Sequence, residues 1–227
     1  MTHIVVLGGT GYAGRYIVDE AARRGHDVVS VSRSAAPAGG PVTHRSADLL
    51  DPAARQAAVE GADVVVGALS PRGPLDGELG AVYRSVADAV AAAGARLVVV
   101  GGFSSLRPAP GEDRIIDSGR FPGAADAPPV PPEALEGLLN EARQMNATLL
   151  DLLGRSDGPD WTFVSPGMGF GAHVPGEPTG RYRIGDDDVA LFDAEGSSAI
   201  GGADFALAVV DEIEQGKHRR EHIGVAY

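Results

Sequence analysis

"VVLGGTGYAG", Val5 to Gly14, is an apolar run that ends among four glycines, at positions 8, 9, 11 and 14. The run is short, β-branched and bounded by glycine, which marks a buried strand; the "YAGRYIVDEAARRG" that follows has helical spacing and stops at Gly25. Where the two meet stands Gly9-Thr10-Gly11-Tyr12-Ala13-Gly14, a G-x-G-x-x-G overlapped by a second glycine spacing that begins at Gly8. Alone the pattern says little. Here it follows a first strand and opens a helix, the setting in which such a loop cradles a dinucleotide pyrophosphate. A tight turn needs a glycine where φ is positive, phosphates need room against the backbone, and a helix lies close to a strand only where a side chain is missing. The amides at the helix start, helped by the helix dipole, then face the phosphates.

Outward from this stretch, strands and helices alternate. "DVVSVSR" (27–33) is a second strand, "PVTHRSADL" (41–49) holds a short third, and "DPAARQAAVEG" (51–61) is a helix that Asp51 caps ahead of Pro52. "ADVVVGAL" (62–69), an alanine-rich helix (74–94), "ARLVVVGG" (95–102), a helix over 131–155 and "DWTFVSPG" (160–167) continue the series. In the 131–155 helix, Leu135, Leu138, Leu139, Ala142, Met145, Leu149, Leu152 and Leu153 are expected to face the core. Strands that are apolar on both faces and separated by helices require a parallel sheet covered on both sides. The expected fold is α/β, a doubly wound parallel sheet of Rossmann type. The length suits a single domain over 1–227. Residues 104–131, where prolines, glycines and charges replace any periodic apolar face, are expected to be a lid or loop. "GRYRIG", "VALFD" and "HIGVAY" place a small substrate-side lobe at about 168–200 plus 217–227, beside a helix "GADFALAVVDEIEQG".

Composition narrows the function. With 19 basic against 31 acidic side chains the net charge is −12, which argues against nucleic acid and membrane surfaces, both polyanionic. No cysteine is present, so disulfides, thiolate metal sites and a cysteine nucleophile drop out. The six histidines show neither H-E-x-x-H nor a helix-face pair, so no metal is expected, and no G-x-S-x-G supports a hydrolase. No signal-peptide pattern opens the chain and no apolar stretch approaches about 18 residues, so a cytoplasmic location is expected.

The end of the second strand decides the dinucleotide. NAD is usually gripped by an acid about 20 residues after the glycines, whereas a 2′-phosphate is met by arginine. Ser32, Arg33 and Ser34 stand there and no acid does, so NADP(H) is favoured over NAD. Asp48, after the third strand, is placed to accept from the adenine amino group or simply to fasten a loop.

On these residues the chain resembles the atypical short-chain dehydrogenase/reductase proteins, specifically the NmrA-like NAD(P)-binding group that includes NADH-flavin reductases and NAD-dependent epimerases. The likeness runs from "VVLGGTGYAG" through "SADLLD", "ADVVVGALS", "RLVVVGGFSSL" and "DWTFVSPG" to "GRYRIG" and the ending "KHRREHIGVAY". It implies that Gly8, Thr10, Gly11, Tyr12, Ala13 and Gly14 hold the pyrophosphate, Arg33 the 2′-phosphate, and Asp48 and Leu49 the adenine side. It further implies that Ala68, Leu69 and Ser70, with Gly101, Gly102 and Phe103, flank the nicotinamide, and that Ser165, Pro166 and Gly167 close over it. One departure matters. The wider family uses a Tyr-x-x-x-Lys pair after the fifth strand, but this chain has no tyrosine between Tyr83 and Tyr182 and its one lysine is Lys217.

Without that proton relay, hydride transfer into a delocalised acceptor remains the accessible chemistry, because the protein mainly has to position rings. The expected function is an NADP(H)-dependent oxidoreductase whose partner is a small-molecule hydride acceptor, flavin-like or quinone-like. Ser104 and Ser105 are the candidate catalytic residues, placed to orient the acceptor or the carboxamide. His173 is the candidate proton donor should one exist, and Arg181, Tyr182 and Arg183 are candidates for an outer wall. A non-catalytic NADP-binding redox sensor and an epimerase or dehydratase are the alternatives.

Overall fold

The computed structural model describes residues 1–34, 40–119, 131–174, 176–185 and 187–227. Among them, β1 (His3–Leu7), β2 (Asp27–Ser32), β3 (Val42–Ser46), β4 (Val64–Gly67), β5 (Arg96–Val100), β6 (Asp160–Pro166), β7 (Arg183–Gly185) and β8 (Glu221–Ala226) form one sheet. Its order is β3-β2-β1-β4-β5-β6-β8-β7, parallel throughout except for the antiparallel edge strand β7. Strand order runs outward in opposite directions from β1 and from β4. A crevice therefore opens between their carboxyl ends, where ligands bind in open α/β sheets.

Alternation along the central strands feeds two cores. Val5, Leu7, Val65, Leu97 and Val99 pack with α2 (Pro52–Val59), α3 (Leu79–Ala93) and α5 (Pro132–Gly154). Ile4, Val6, Val66, Val98 and Val164 pack on the other face with α1 (Tyr12–Arg23) and α6 (Gly202–Gln215). Both faces are covered, which is why these strands read as unbroken apolar runs. No helix among the described residues is long and apolar enough to cross a membrane.

Three expectations change. In α5, Met145, Leu149 and Leu152 are buried, but Leu135, Leu138 and Leu153 are exposed. The helix outruns the layer it packs on, so its first turns have no sheet beneath them. The ending "HIGVAY" does not join a small lobe; it supplies β8, inserted between β6 and β7 in the main sheet. "VALFD" forms no strand; Val189 makes an isolated bridge with Arg107, and its carbonyl lies against Gly185 and Gly224 at the sheet edge. Of the segment read as a lid or loop, residues 104–119 are folded down. Leu106 and Ile115, the latter opening the short α4 (Ile115–Ser118), are buried with Phe103 and Ala190. Residues 120–130 lie outside the described part.

The first crossover depends on the glycines. Gly8 has φ 84°, a conformation that costs a side-chain-bearing residue, and it turns the chain back at the end of β1. A Cβ on Gly14 would run into the carbonyl oxygen of Gly8, and one on Gly9 into the Ser30 hydroxyl. These obstacles are backbone and core, with no flexible side-chain tip to yield. Gly14→Ala is therefore expected to lower stability by about 1–3 kcal/mol through overpacking, even though alanine gains about 1 kcal/mol of helix propensity. Gly137→Ala, in α5 with nothing within 4 Å of the new methyl, is expected to raise it. Urea unfolding midpoints of the two variants should move in opposite directions.

Candidate functional site

The glycine turn is closed by three backbone bonds: Gly8 and Gly9 N–H donate to the Val31 carbonyl (2.8 and 3.2 Å), and Gly11 N–H donates to the Gly8 carbonyl (2.9 Å). α1 then starts with Gly11 as its N-cap, with no side-chain cap and no acid in its first turn. α2 shows the contrast, since its first amides are served by Asp51, which accepts from Ala53 N–H at 2.9 Å. An uncapped N-terminus leaves its amides and positive dipole end for an external anion.

That helix start borders a cleft of about 190 Å³. Its walls are Gly8, Thr10 and Gly11 from the turn, Ser32 and Arg33 from the end of β2, Ala47, Asp48 and Leu49 after β3, and Ala68, Leu69 and Ser70 after β4, with Arg72 at the mouth. A Cβ on Gly11 would meet nothing nearer than the Gly8 carbonyl oxygen at 3.2 Å. The space beside Gly11 is therefore open to a ligand. Arg33 is exposed and makes no ion pair among the described residues; one guanidinium nitrogen lies 3.8 Å from where a Cβ on Gly73 would sit, across the cleft mouth. The exposed Asp48 carboxylate accepts from Leu50 N–H at 3.0 Å, so it fastens its own loop as well as lining the wall. The β4 loop is held from below by Tyr83, whose buried hydroxyl accepts from Leu69 N–H at 3.2 Å and whose pKa burial pushes well above the usual phenol range. In the first turn of α1, Gly14 seats the helix on the strand, Ala13 packs against the α1/α6 core, and the Tyr12 ring stacks edge-on against Tyr16 and Phe170.

A second group forms at the ends of β5 and β6. Gly101 N–H donates to the Val164 carbonyl at 2.8 Å, and its missing side chain makes room for the Phe163 ring. The Ser165 hydroxyl donates to the Gly102 carbonyl at 2.9 Å, while Pro166 and Gly167 finish β6, the latter donating to Val225 at 2.9 Å. Phe103, Ser104 and Ser105 form a single tight turn after β5. Ser104 is half-buried. Ser105 is buried and its hydroxyl has no hydrogen-bond partner among the described residues. A buried unpaired hydroxyl is costly unless a ligand or water completes it.

Sequence reasoning missed His222. It sits on β8 with Nε2 2.8 Å from the Ser165 hydroxyl and Nδ1 3.2 Å from an Arg114 nitrogen. Burial holds its pKa below the usual histidine value, with Asp188 opposing and the Arg114 charge adding to the shift. Asp188 pairs with Arg114 (2.9 Å) and Arg107 (3.0 Å). Burial raises its carboxyl, but the nearby His222 ring and the charge of Arg114 outweigh this and hold it below the usual range. One signal was present: a histidine entering the otherwise apolar "IGVA". His173, by contrast, is exposed after β6. Arg181, Tyr182 and Arg183 line a different hollow, about 730 Å³, with Thr179 and Tyr227. There the Tyr182 hydroxyl donates to Asp211 and Arg183 donates to the Phe192 carbonyl, so these residues brace the sheet edge.

With this geometry the chain's relationships agree. Residues 8–215 match the family model described as NAD(P)H-binding, and the chain belongs to that family. Three solved structures each superpose with a TM-score of 0.82 over 100% of the chain. One, from Burkholderia pseudomallei and described as a "putative exported protein", is 37% identical and is covered over 100% of its length. A "putative epimerase" from Bacteroides thetaiotaomicron is 32% identical and covered over 97%. A "putative NADH-flavin reductase" from Streptococcus pneumoniae is 28% identical and covered over 99%.

Because Gly11 has φ −69° and ψ 176°, a conformation any residue adopts, and a Cβ there presses only on the Gly8 carbonyl oxygen at 3.2 Å, Gly11→Val should leave the fold largely intact at a modest cost in stability and yet fill the space beside the helix start. Calorimetry is expected to show loss of dinucleotide binding with an unchanged circular dichroism spectrum. Retained tight binding by the folded variant would remove the assignment of this turn.

Proposed function

We propose that the protein is an NADP(H)-dependent reductase that passes hydride to a small flavin-like or quinone-like acceptor. The observation that carries this is the composition of the two ends of the site. The adenosine end offers the guanidinium of Arg33, without an ion pair among the described residues, where an NAD site would present an acid, and the other end is assembled without a tyrosine or lysine on α5.

When bound, the dinucleotide supplies the hydride; the chain's own residues supply placement. The open backbone at Gly8 and Gly11 and the uncapped start of α1 receive the phosphates. Arg33 offers a charge-assisted fork to a 2′-phosphate. Ser104 and Ser105 offer hydroxyls at the turn after β5, and the hydroxyl of Ser105, buried without a partner, is the stronger candidate to orient a ligand. No side chain in this turn is a strong acid. An acceptor that delocalises charge needs none, whereas a simple ketone develops localised alkoxide charge, for which one oxyanion donor is worth about 3–4 kcal/mol.

Two measurements test the proposal. Arg33→Asp should weaken NADPH binding by roughly 10- to 150-fold, the loss of a charge-assisted bond, while sparing NADH. An unchanged NADPH/NADH preference would place the Arg33 side chain in solvent. With a panel of acceptors followed by NADPH absorbance, flavins and quinones should be reduced and simple ketones almost not at all. Ser104→Ala and Ser105→Ala should slow turnover modestly by loosening ring placement. Efficient ketone reduction would reveal an unrecognised proton donor, and tight NADPH binding with no oxidation by any acceptor would replace the enzyme by a sensor.

A further inference from the structure

Behind the turn Gly102–Ser105 runs a continuous buried polar chain. Arg114, fixed by Asp188 at 2.9 Å, donates both to the Ser105 carbonyl and to His222 Nδ1. With Nδ1 accepting, the ring proton resides on Nε2, which donates to the Ser165 hydroxyl at 2.8 Å. Ser165 in turn donates to the Gly102 carbonyl at 2.9 Å. Every donor points the same way, from the guanidinium to that carbonyl, and the two backbone carbonyls held are those at the two ends of the turn that carries Ser104.

Such a chain is expensive. Arg114, His222 and Ser165 are 6%, 7% and 0% exposed, and apolar side chains of similar volume would fill the same space at lower desolvation cost. What it secures is local: the turn cannot shift without breaking a bond at Gly102 or at Ser105. Within that turn the Ser105 hydroxyl is itself buried and unpartnered among the described residues, which points to a ligand group.

We propose that Asp188, Arg114, His222 and Ser165 form one positioning chain that holds the turn Gly102–Ser105 in register with the nicotinamide end of the bound dinucleotide. This rests on the site proposed above. Direct contact with the reacting atoms is left to the turn; the chain acts through it.

The geometry makes the chain sensitive to acid. A proton on Nδ1 would face Arg114, end its donation to His222 and add repulsion. The charged groups facing the ring are Asp188, which favours that proton, and Arg114 and Arg107, which oppose it. Because the folded-state pKa is depressed, ordering of the turn is complete above about pH 6.5, the unfolded value, and is lost as pH falls through the folded value. The adenosine end contains none of these groups.

The test compares NADP⁺ with 2′-phospho-ADP-ribose, which lacks the nicotinamide ring, by calorimetry from about pH 8 to about pH 5. Both carry the 2′-phosphate, so its own protonation cancels in the ratio of their dissociation constants. In the wild type the ratio should favour NADP⁺ at neutral pH and shrink in acid. In His222→Gln it should be smaller by roughly three- to tenfold at neutral pH and flat with pH. Asp188→Asn keeps a residue that tolerates the φ of 55° found there. It should move the acid limb to lower pH, since the carboxylate that favours protonation is gone. This second variant decides the matter if the first does not fold. An unchanged ratio and acid limb in the folded variants would overturn the positioning chain alone, whereas failure of both probes to bind the wild type would overturn the dinucleotide site together with it.

Discussion

The carbonyl of Gly8 is the point on which the rest of the structure depends. It accepts from Gly11 N–H at 2.9 Å, closing the turn, and it lies where a methyl on Gly14 would be. A Cβ on Gly8 itself would press on the Ala68 carbonyl at the end of β4. Strand β1, helix α1 and the β4 loop therefore converge on one small volume that only backbone can fill. Because they do, the positive end of α1 stands over the gap between β1 and β4, where strand order reverses, and an uncapped helix start becomes a place for an anion.

The two ends of the site are built on different physics. At the cleft beside α1, Arg33 is exposed and makes no ion pair among the described residues, so its attraction for an anion acts through water and is weakened by salt. At the carboxyl ends of β5 and β6, Arg114, His222 and Ser165 are withdrawn from solvent and Asp188 is half-buried beside them, where hydrogen bonds are directional and an unmade one is costly. The first arrangement leaves a cation open to solvent at the cleft. The second holds a backbone turn in place. Similar structures described as a "putative NADH-flavin reductase" and as a "putative epimerase" share the framework, in line with the general rule that chemistry belongs to the site and not to the fold.

The segment after β5 builds the second arrangement. Its first part, through α4, buries Leu106 and Ile115 beside Phe103 and Ala190 and delivers Arg114 to Asp188 and His222. Three distant stretches, around 103–115, at 188 and at 222, thus meet beside the carboxyl ends of β5 and β6 and the start of β8. Asp188 reaches this cluster from a turn in which both it and Asp187 adopt positive φ (55° and 52°).

How much of this was legible in the sequence follows from the range of the interactions involved. The strands, the helices and the glycine turn are written in periodicities and in local steric needs, so "VVLGGTGYAG" alone announced a strand, a turn and a helix over a crevice. Part of the cleft wall was legible for the same reason, since Gly8, Thr10, Gly11, Arg33, Asp48, Leu49, Ala68, Leu69 and Ser70 each follow the end of a strand that local pattern had located. Other features were decided only by tertiary packing. α5 carries its apolar stripe from Leu135 to Leu153, yet Leu135 and Leu138 are exposed because the first turns have no sheet beneath them, which no pattern within the helix records. "HIGVAY" reads as an isolated short strand, and its insertion between β6 and β7 is a matter of long-range pairing. His222 joins Ser165 across 57 positions and Arg114 across 108, contacts that come into being only once β8 is laid beside β6.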